Sequence, residues 1–164
     1  MNIHEDFEEF LRLLAAEKVE FMIVGGYAVA FYGHVRTTQD LDLFFRNTAR
    51  NVHKILTALR RFGLPADDSV IASFRDPGSI IRLGVAPVRV EMINAISGFT
   101  FGRAWRNRVQ GIYGTVPVHY ISRADLLANK RASGRPKDLA DVDELGGNRK
   151  TSRGGGGKKV DGGE

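Results

Sequence analysis

Apolar residues at Phe7, Phe10, Leu11 and Leu14 keep the spacing of a single helical face, and Ala15 and Ala16 favour the same conformation. The pattern predicts an amphipathic helix over His4 to Lys18. The period then changes. Phe21-Met22-Ile23-Val24 is an unbroken run of strand-forming residues ending at Gly25-Gly26, where the backbone is free to turn into a second helix over Tyr27 to Tyr32. Asp40 to Phe45 reads as another strand. Asn47 or Thr48 can cap the helix that follows, in which Val52, Ile55, Leu56, Leu59 and Phe62 share a face before Gly63 and Pro65 stop it.

A β pattern returns from Ser79, with strands expected over Ile80 to Leu83 and Val88 to Ile93 and a hairpin turn at Gly84-Val85-Ala86-Pro87. Val116 to Ile121 is a further strand. Ser122-Arg123-Ala124-Asp125 has capping-box spacing, with Asp for the usual Glu, and opens a helix through Leu126, Leu127 and Lys130 that Gly134 ends. Pro136 takes the first position of a last helix with Leu139, Val142 and Leu145 on one side. From Gly146 onward the chain holds eight glycines and a single larger apolar residue, Val160. One domain is therefore expected over 1–145 and a Gly/Lys-rich disordered tail over 146–164. Helices interleave with a small number of strands, which places the domain in the α/β (α+β) class.

Charge changes this picture little. The 164 residues carry a formal +5, but the tail holds five basic and two acidic residues and supplies +3 of it, so the foldable part is close to balanced. A basic pI is then no argument for a protein that coats nucleic acid. The chain has no cysteine, which excludes disulfides, thiolate metal sites and cysteine nucleophiles. The first residues, His4-Glu5-Asp6-Phe7-Glu8-Glu9, are acidic where a signal peptide needs positive charge. Phe21 to Gly33, the longest uncharged apolar run, contains three glycines and falls short of the about 20 residues that span a bilayer. A cytoplasmic protein without membrane attachment is expected.

The candidate chemistry lies in the order of three elements: a strand ending in Gly25-Gly26, a helix, and a strand carrying Asp40-Leu41-Asp42-Leu43. Two glycines at a strand-to-helix turn let the backbone approach a phosphate, toward which a helix N-terminus presents unpaired N–H groups. Strand residues two apart project from one face, so Asp40 and Asp42 point together while Leu41 and Leu43 enter the core. Side-by-side carboxylates repel, and a divalent cation resolves the repulsion; oxygen-only ligation with room for phosphates suits Mg²⁺ or Mn²⁺. Glu91 is the acidic residue in a strand context downstream that can complete a three-carboxylate set. Three carboxylates allow a two-metal site and hence metal-assisted phosphoryl or nucleotidyl transfer.

Val24-Gly25-Gly26, a thirteen-residue gap (Tyr27 to Gln39) and Asp40-Leu41-Asp42-Leu43 resemble the signature of nucleotidyltransferases with the polymerase-β-like fold. Within that superfamily the chain is similar to the branch that holds the AbiEii-like toxins of bacterial type IV toxin–antitoxin systems and related small nucleotidyltransferases. The resemblance to this branch also rests on Arg36-Thr37-Thr38 and on Ile121-Ser122 through Asp125-Leu126-Leu127, Lys130, Gly134-Arg135-Pro136-Lys137-Asp138-Leu139 and Asp141. It implies a small mixed β-sheet with helices packed against it and two C-terminal helices. It also implies roles. Asp40 and Asp42 would hold two Mg²⁺ or Mn²⁺ ions, with Glu91, where relatives often carry Asp, as third ligand and as base for the attacking hydroxyl. Gly25, Gly26 and Thr38 would contact the nucleotide, Arg36 would neutralise its triphosphate, Lys130 would reach it as a catalytic residue, and Asp138 would orient it. The implied activity moves a nucleoside monophosphate from an NTP such as ATP to a hydroxyl of a protein or RNA acceptor. The protein would then be the toxin-like half of a toxin–antitoxin pair, with a cognate antitoxin as partner.

Other readings of the same residues stay open. A domain of this fold without turnover would be a nucleotide- or partner-binding module. Phe99 to Arg108 interleaves three aromatics with three arginines, which suits nucleobase stacking with help from the tail, but suits equally aromatics packed on the sheet with arginines reaching water; the packing reading is preferred. Lys130 and Arg131 late in one helix, and Asp138 and Asp141 early in the next, are also the charges that helix dipoles favour. For Asp141 the dipole is the whole reading.

Overall fold

The computed structural model describes residues 4–147. Helix α1 (Glu5–Ala16) buries Phe7, Phe10, Leu11 and Leu14, the four positions of its apolar stripe. Strand β1 (Phe21–Val24) is buried along its whole length, as an unbroken apolar run requires. Helix α2 (Gly25–Phe31) starts at the first glycine rather than at Tyr27, because Gly25 takes a positive φ of 64° and turns the chain at once. Strand β2 (Asp40–Phe45) has the expected bounds. Thr48, not Asn47, caps helix α3 (Ala49–Phe62): its hydroxyl accepts the Asn51 N–H at 3.2 Å, and Gly63 ends the helix in the left-handed conformation.

A 3-10 turn at Asp68–Val70 leads into the short helix α4 (Ile71–Arg75). Strands β3 (Ile80–Val85) and β4 (Val88–Ile93) pair up to Val85↔Val88, so the turn between them shrinks to Ala86-Pro87. Helix α5 (Phe101–Arg106) and strand β5 (Val109–Tyr113) precede β6 (Val116–Tyr120), which stops one residue short of its expected end. Ser122 caps α6 (Arg123–Ser133) by accepting the Asp125 N–H at 3.1 Å, and Gly134 terminates it. Helix α7 (Pro136–Gly147) begins at its proline and runs two residues past Leu145; the rest of the expected tail lies outside the described residues.

The six strands form one mixed sheet in the order β3-β4-β2-β1-β6-β5. β1 runs antiparallel to β2 and parallel to β6, and β2 runs parallel to β4. Leu41, Leu43 and Phe45 of β2 occupy one face and Asp40, Asp42 and Phe44 the other. α1 and α3 pack together, with Phe10 against Phe62 at 5.4 Å, and Phe45 meets Phe74 of α4. Phe44 is covered by Phe101, whose ring lies 5.0 Å away edge-on. Trp105 stacks on Phe101, Arg108 lies 3.9 Å above Trp105, and Arg103 and Arg106 are exposed. The aromatic and basic stretch is thus packing with outward arginines.

Two registers then decide where the polar residues go. Antiparallel pairing sets Val24 opposite Asp42, so the Gly25 turn follows directly beside that carboxylate. Parallel pairing of β2 with β4 sets Asp40 beside Arg89 and Asp42 beside Glu91. No helix among the described residues is long and apolar enough to cross a membrane.

Candidate active site

The carboxylate end of β2 opens into a cleft of about 390 Å³, and all nine residues singled out from the sequence line it. β2 and β4 contribute Asp40, Asp42 and Glu91; the β1–α2 turn contributes Gly25 and Gly26; the segment leading into β2 brings Arg36 and Thr38; α6 and α7 bring Lys130 and Asp138. Arg135 and Lys137 add positive charge on the α7 side. The cleft therefore has an acidic wall on the sheet and a basic wall opposite.

On the acidic wall, burial pushes the carboxyl of Asp42 up to about 7, with further upward push from Glu91 and Asp40 and an opposing pull from Lys130. Its neighbours each hold an arginine. Arg89 donates to Asp40 through Nε to Oδ1 at 2.7 Å and through Nη2 to Oδ2 at 2.9 Å, and Arg82 donates through Nε to Glu91 Oε1 at 2.9 Å. The hydrogen bond to Asp40 raises the Arg89 pKa above its ordinary value. Gly25 abuts the same wall: a Cβ there would overlap Asp42 Oδ2, and a Cβ on Gly26 would lie 2.6 Å from Thr38 Oγ1. Thr38 in turn donates to the Asp40 carbonyl at 3.3 Å. Glycine is required at both positions by closeness, and at Gly25 by its positive φ as well.

The basic wall is built around an ion-pair network whose centre is buried. Lys130 Nζ lies 3.0 Å from Asp138 Oδ1 and 2.8 Å from Asp141 Oδ2. Arg36 grips Asp141 with Nε and Nη2 at 2.8 and 2.9 Å. Asp138 also accepts from Ser133 Oγ and Arg135 Nε, both at 2.7 Å. Burial alone would raise the Asp138 pKa, but the hydrogen bonds from Ser133, Arg135 and Lys130 outweigh it and lower the value to about 2. One expectation is corrected here, and one open alternative falls away. Asp141 is no mere dipole residue: it is 2% exposed and ties Arg36 of the β2 approach to Lys130 of α6. Lys130 is buried against carboxylates, where a residue serving the helix dipole alone would be solvated.

Arg89, Arg82 and Ser133 are residues of this arrangement that the sequence did not single out, and Asp141 was singled out without a place in the site. A signal existed for Arg89. It stands two positions before Glu91 as Asp40 stands two before Asp42, so a parallel register that pairs the two acids also pairs Asp40 with Arg89.

Residues 1–147 match the model of a protein family described as nucleotidyltransferase of unknown function (DUF6036). A comparison of the sequence with curated proteins finds no match. Among solved structures, the chain is similar to the solution structure of the antibiotic-resistance factor ANT(2'')-Ia, with a TM-score of 0.57 and 14% identity over 88% of this chain and 82% of that one. It is similar also to the lincomycin-bound lincosamide antibiotic adenylyltransferase LnuA, with a TM-score of 0.53 and 14% identity over 89% of this chain and 98% of the other. ANT(2'')-Ia in complex with adenylyl-2''-tobramycin gives 0.53 and 12%, over 87% of each chain. At these identities the structural likeness speaks for the fold. The sequence match, which spans the whole described domain, speaks for more: the chain belongs to this nucleotidyltransferase family and is a nucleotidyltransferase.

Proposed function

We propose that the cleft transfers a nucleoside monophosphate from an NTP, ATP among them, to a hydroxyl group. The acceptor oxygen bonds to the α-phosphorus, the bond from that phosphorus to the β-bridging oxygen breaks, and pyrophosphate leaves with the electron pair. The observation that carries the reading is the convergence in one cleft of an acidic wall at Asp40, Asp42 and Glu91, a Cβ-free backbone at Gly25 and Gly26, and a basic wall at Lys130, Arg135 and Lys137.

The donor set suits divalent cations. It is oxygen-only, it lies on one sheet face, a cation offsets both the burial and the neighbouring carboxylates that raise Asp42, and a guanidinium already stands as a cation on Asp40. Among the described residues no group of three acidic or histidine side chains is gathered closely enough to hold an ion; Asp40 is engaged by Arg89 and Glu91 by Arg82. Asp40, Asp42 and Glu91 would hold Mg²⁺ or Mn²⁺, two ions in the fullest case, and these would neutralise charge on the triphosphate and the leaving pyrophosphate.

The remaining roles belong to the chain itself. Gly25 and Gly26 let main chain rather than side chain meet the phosphates. Arg36, Lys130, Arg135 and Lys137 oppose the triphosphate charge, and Asp138 orients the nucleotide while holding Lys130 in place. Glu91, on the strand next to the β3 edge, accepts the acceptor's hydroxyl proton. Positioning and charge stabilisation are the dominant contributions in such transfers.

The acceptor is read as a hydroxyl of a protein or RNA, in keeping with the resemblance to AbiEii-like proteins. That context makes the chain the toxin-like half of a pair with a cognate antitoxin. The named acceptors of structural neighbours, a lincosamide and tobramycin, favour a second reading, a hydroxyl of a small polar molecule. The test offers each α-labelled NTP with Mg²⁺ or Mn²⁺ to the protein together with tRNA, lysate protein and a panel of hydroxylated small molecules. Label transfer by the wild type and not by Asp40→Ala/Asp42→Ala supports the proposal. NTP binding without transfer to any acceptor overturns it in favour of a nucleotide-binding module.

A further inference from the structure

The proposed cation site contains its own competitor. Arg89 engages both oxygens of Asp40 in a fork, at 2.7 and 2.9 Å, from the adjacent position on the neighbouring parallel strand. A fork of this kind is the strongest geometry available to a carboxylate and a side-chain cation. The contact is not sealed: the Arg89 and Asp40 side chains are 32% and 25% exposed, so solvent reaches both partners. Arg82 on Glu91 holds a single Nε bond, and Lys137 lines the cleft without touching any of the three carboxylates.

Resting on the reading of Asp40, Asp42 and Glu91 as cation ligands, we infer that Arg89 is a positioning residue that occupies Asp40 until a divalent cation displaces it. A cation on Asp40 meets the guanidinium as a like charge on the same carboxylate, so the two exclude each other. Once displaced, Arg89 presents its fork at the β4 side of the cleft, where its geometry matches a phosphoryl group. The ion pair thereby weakens cation binding to the nucleotide-free protein.

The experiment measures Mn²⁺ affinity of the full chain without nucleotide, by electron paramagnetic resonance of free Mn²⁺, for the wild type, Arg89→Met, Lys137→Met and Asp42→Asn. Arg89→Met is expected to bind Mn²⁺ roughly fivefold more tightly, the upper range for an exposed ion pair. Lys137→Met, which removes the same charge from the cleft but leaves Asp40 gripped, should stay within about twofold of wild type. As a second readout, the ¹⁵N–¹H resonance of Arg89 Nε should shift on Mg²⁺ titration of the wild type. Equal affinity in wild type and Arg89→Met, or equal tightening in Lys137→Met, overturns the role of Arg89 and leaves the cation site standing. Failure of every variant to bind Mn²⁺, or undiminished binding by Asp42→Asn, overturns the cation site and the inference with it.

Discussion

Replacing Lys130 by methionine keeps most of the side chain's packing stem and removes the cation that Asp138 and Asp141 share. Nζ lies within 3.0 Å of both carboxylates, and the three side chains are 5%, 5% and 3% exposed. Taking one partner from a buried ion pair costs about 3–5 kcal/mol, because the charge left behind is stranded away from water. Here each carboxylate keeps other donors, Ser133 and Arg135 for Asp138 and Arg36 for Asp141. The expected loss is therefore at the low end, about 3 kcal/mol, or roughly 10 °C in Tm for a domain of this size. Urea unfolding followed by circular dichroism measures it. Adding Asp138→Asn and Asp141→Asn to the Lys130→Met chain should recover a large part of the loss, since the stranded charges are gone. A single-variant loss below about 1 kcal/mol, or a triple variant no more stable than the single, would refute the network as an electrostatic unit.

Gly25→Ala should cost about 1–2 kcal/mol from the positive φ alone and should also weaken Mn²⁺ binding by pushing Asp42 aside; Gly33→Ala, at φ 103° with open space around it, should show the stability loss only. Asn51→Leu should destabilise by about 2–4 kcal/mol in urea titrations, because its buried amide accepts the Glu20 N–H and donates to the Glu20 and Arg46 carbonyls. Asp138 has a folded pKa of about 2, below its ordinary value, so it stabilises the fold in full above about pH 4 and ceases to as pH falls through 2. The stability gap between wild type and Asp138→Asn should accordingly narrow by about 1 kcal/mol between pH 7 and pH 3, and a gap that widened would reverse the sign of the argument.

Elements whose signals are local could be read from the sequence. Phe21–Val24 is a strand because four apolar β-formers precede two glycines, and Thr48, Ser122, Gly63 and Gly134 start and stop helices by chemistry confined to a few residues. β5 was hidden because Gly111 interrupts its pattern. The interruption is a packing demand: a Cβ at Gly111 would lie 2.8 Å from the Phe31 ring and 2.9 Å from that of Tyr120, which stack on each other at 4.0 Å. The carboxylates and glycines of the cleft were legible because strand alternation and turn chemistry place them. Their partners were not. Arg89 reaches Asp40 only through the register of two strands 49 positions apart in sequence, and Asp141 reaches Arg36 across 105. Helical periodicity says which face Asp141 takes, and nothing about what waits there.

The last of these separations bears on how the protein comes into being. A growing chain exposes Gly25, Asp40, Asp42 and Glu91 long before Asp138 and Asp141 have been added. Until then Arg36 and Lys130 lack the carboxylates that pair with them. At ordinary rates of synthesis, α7 is complete about 1–3 s after Lys130 has been added. The basic wall is thus completed only by the last of the described helices, and a chain that stops short of Asp141 leaves Arg36 and Lys130 without the carboxylates that hold them.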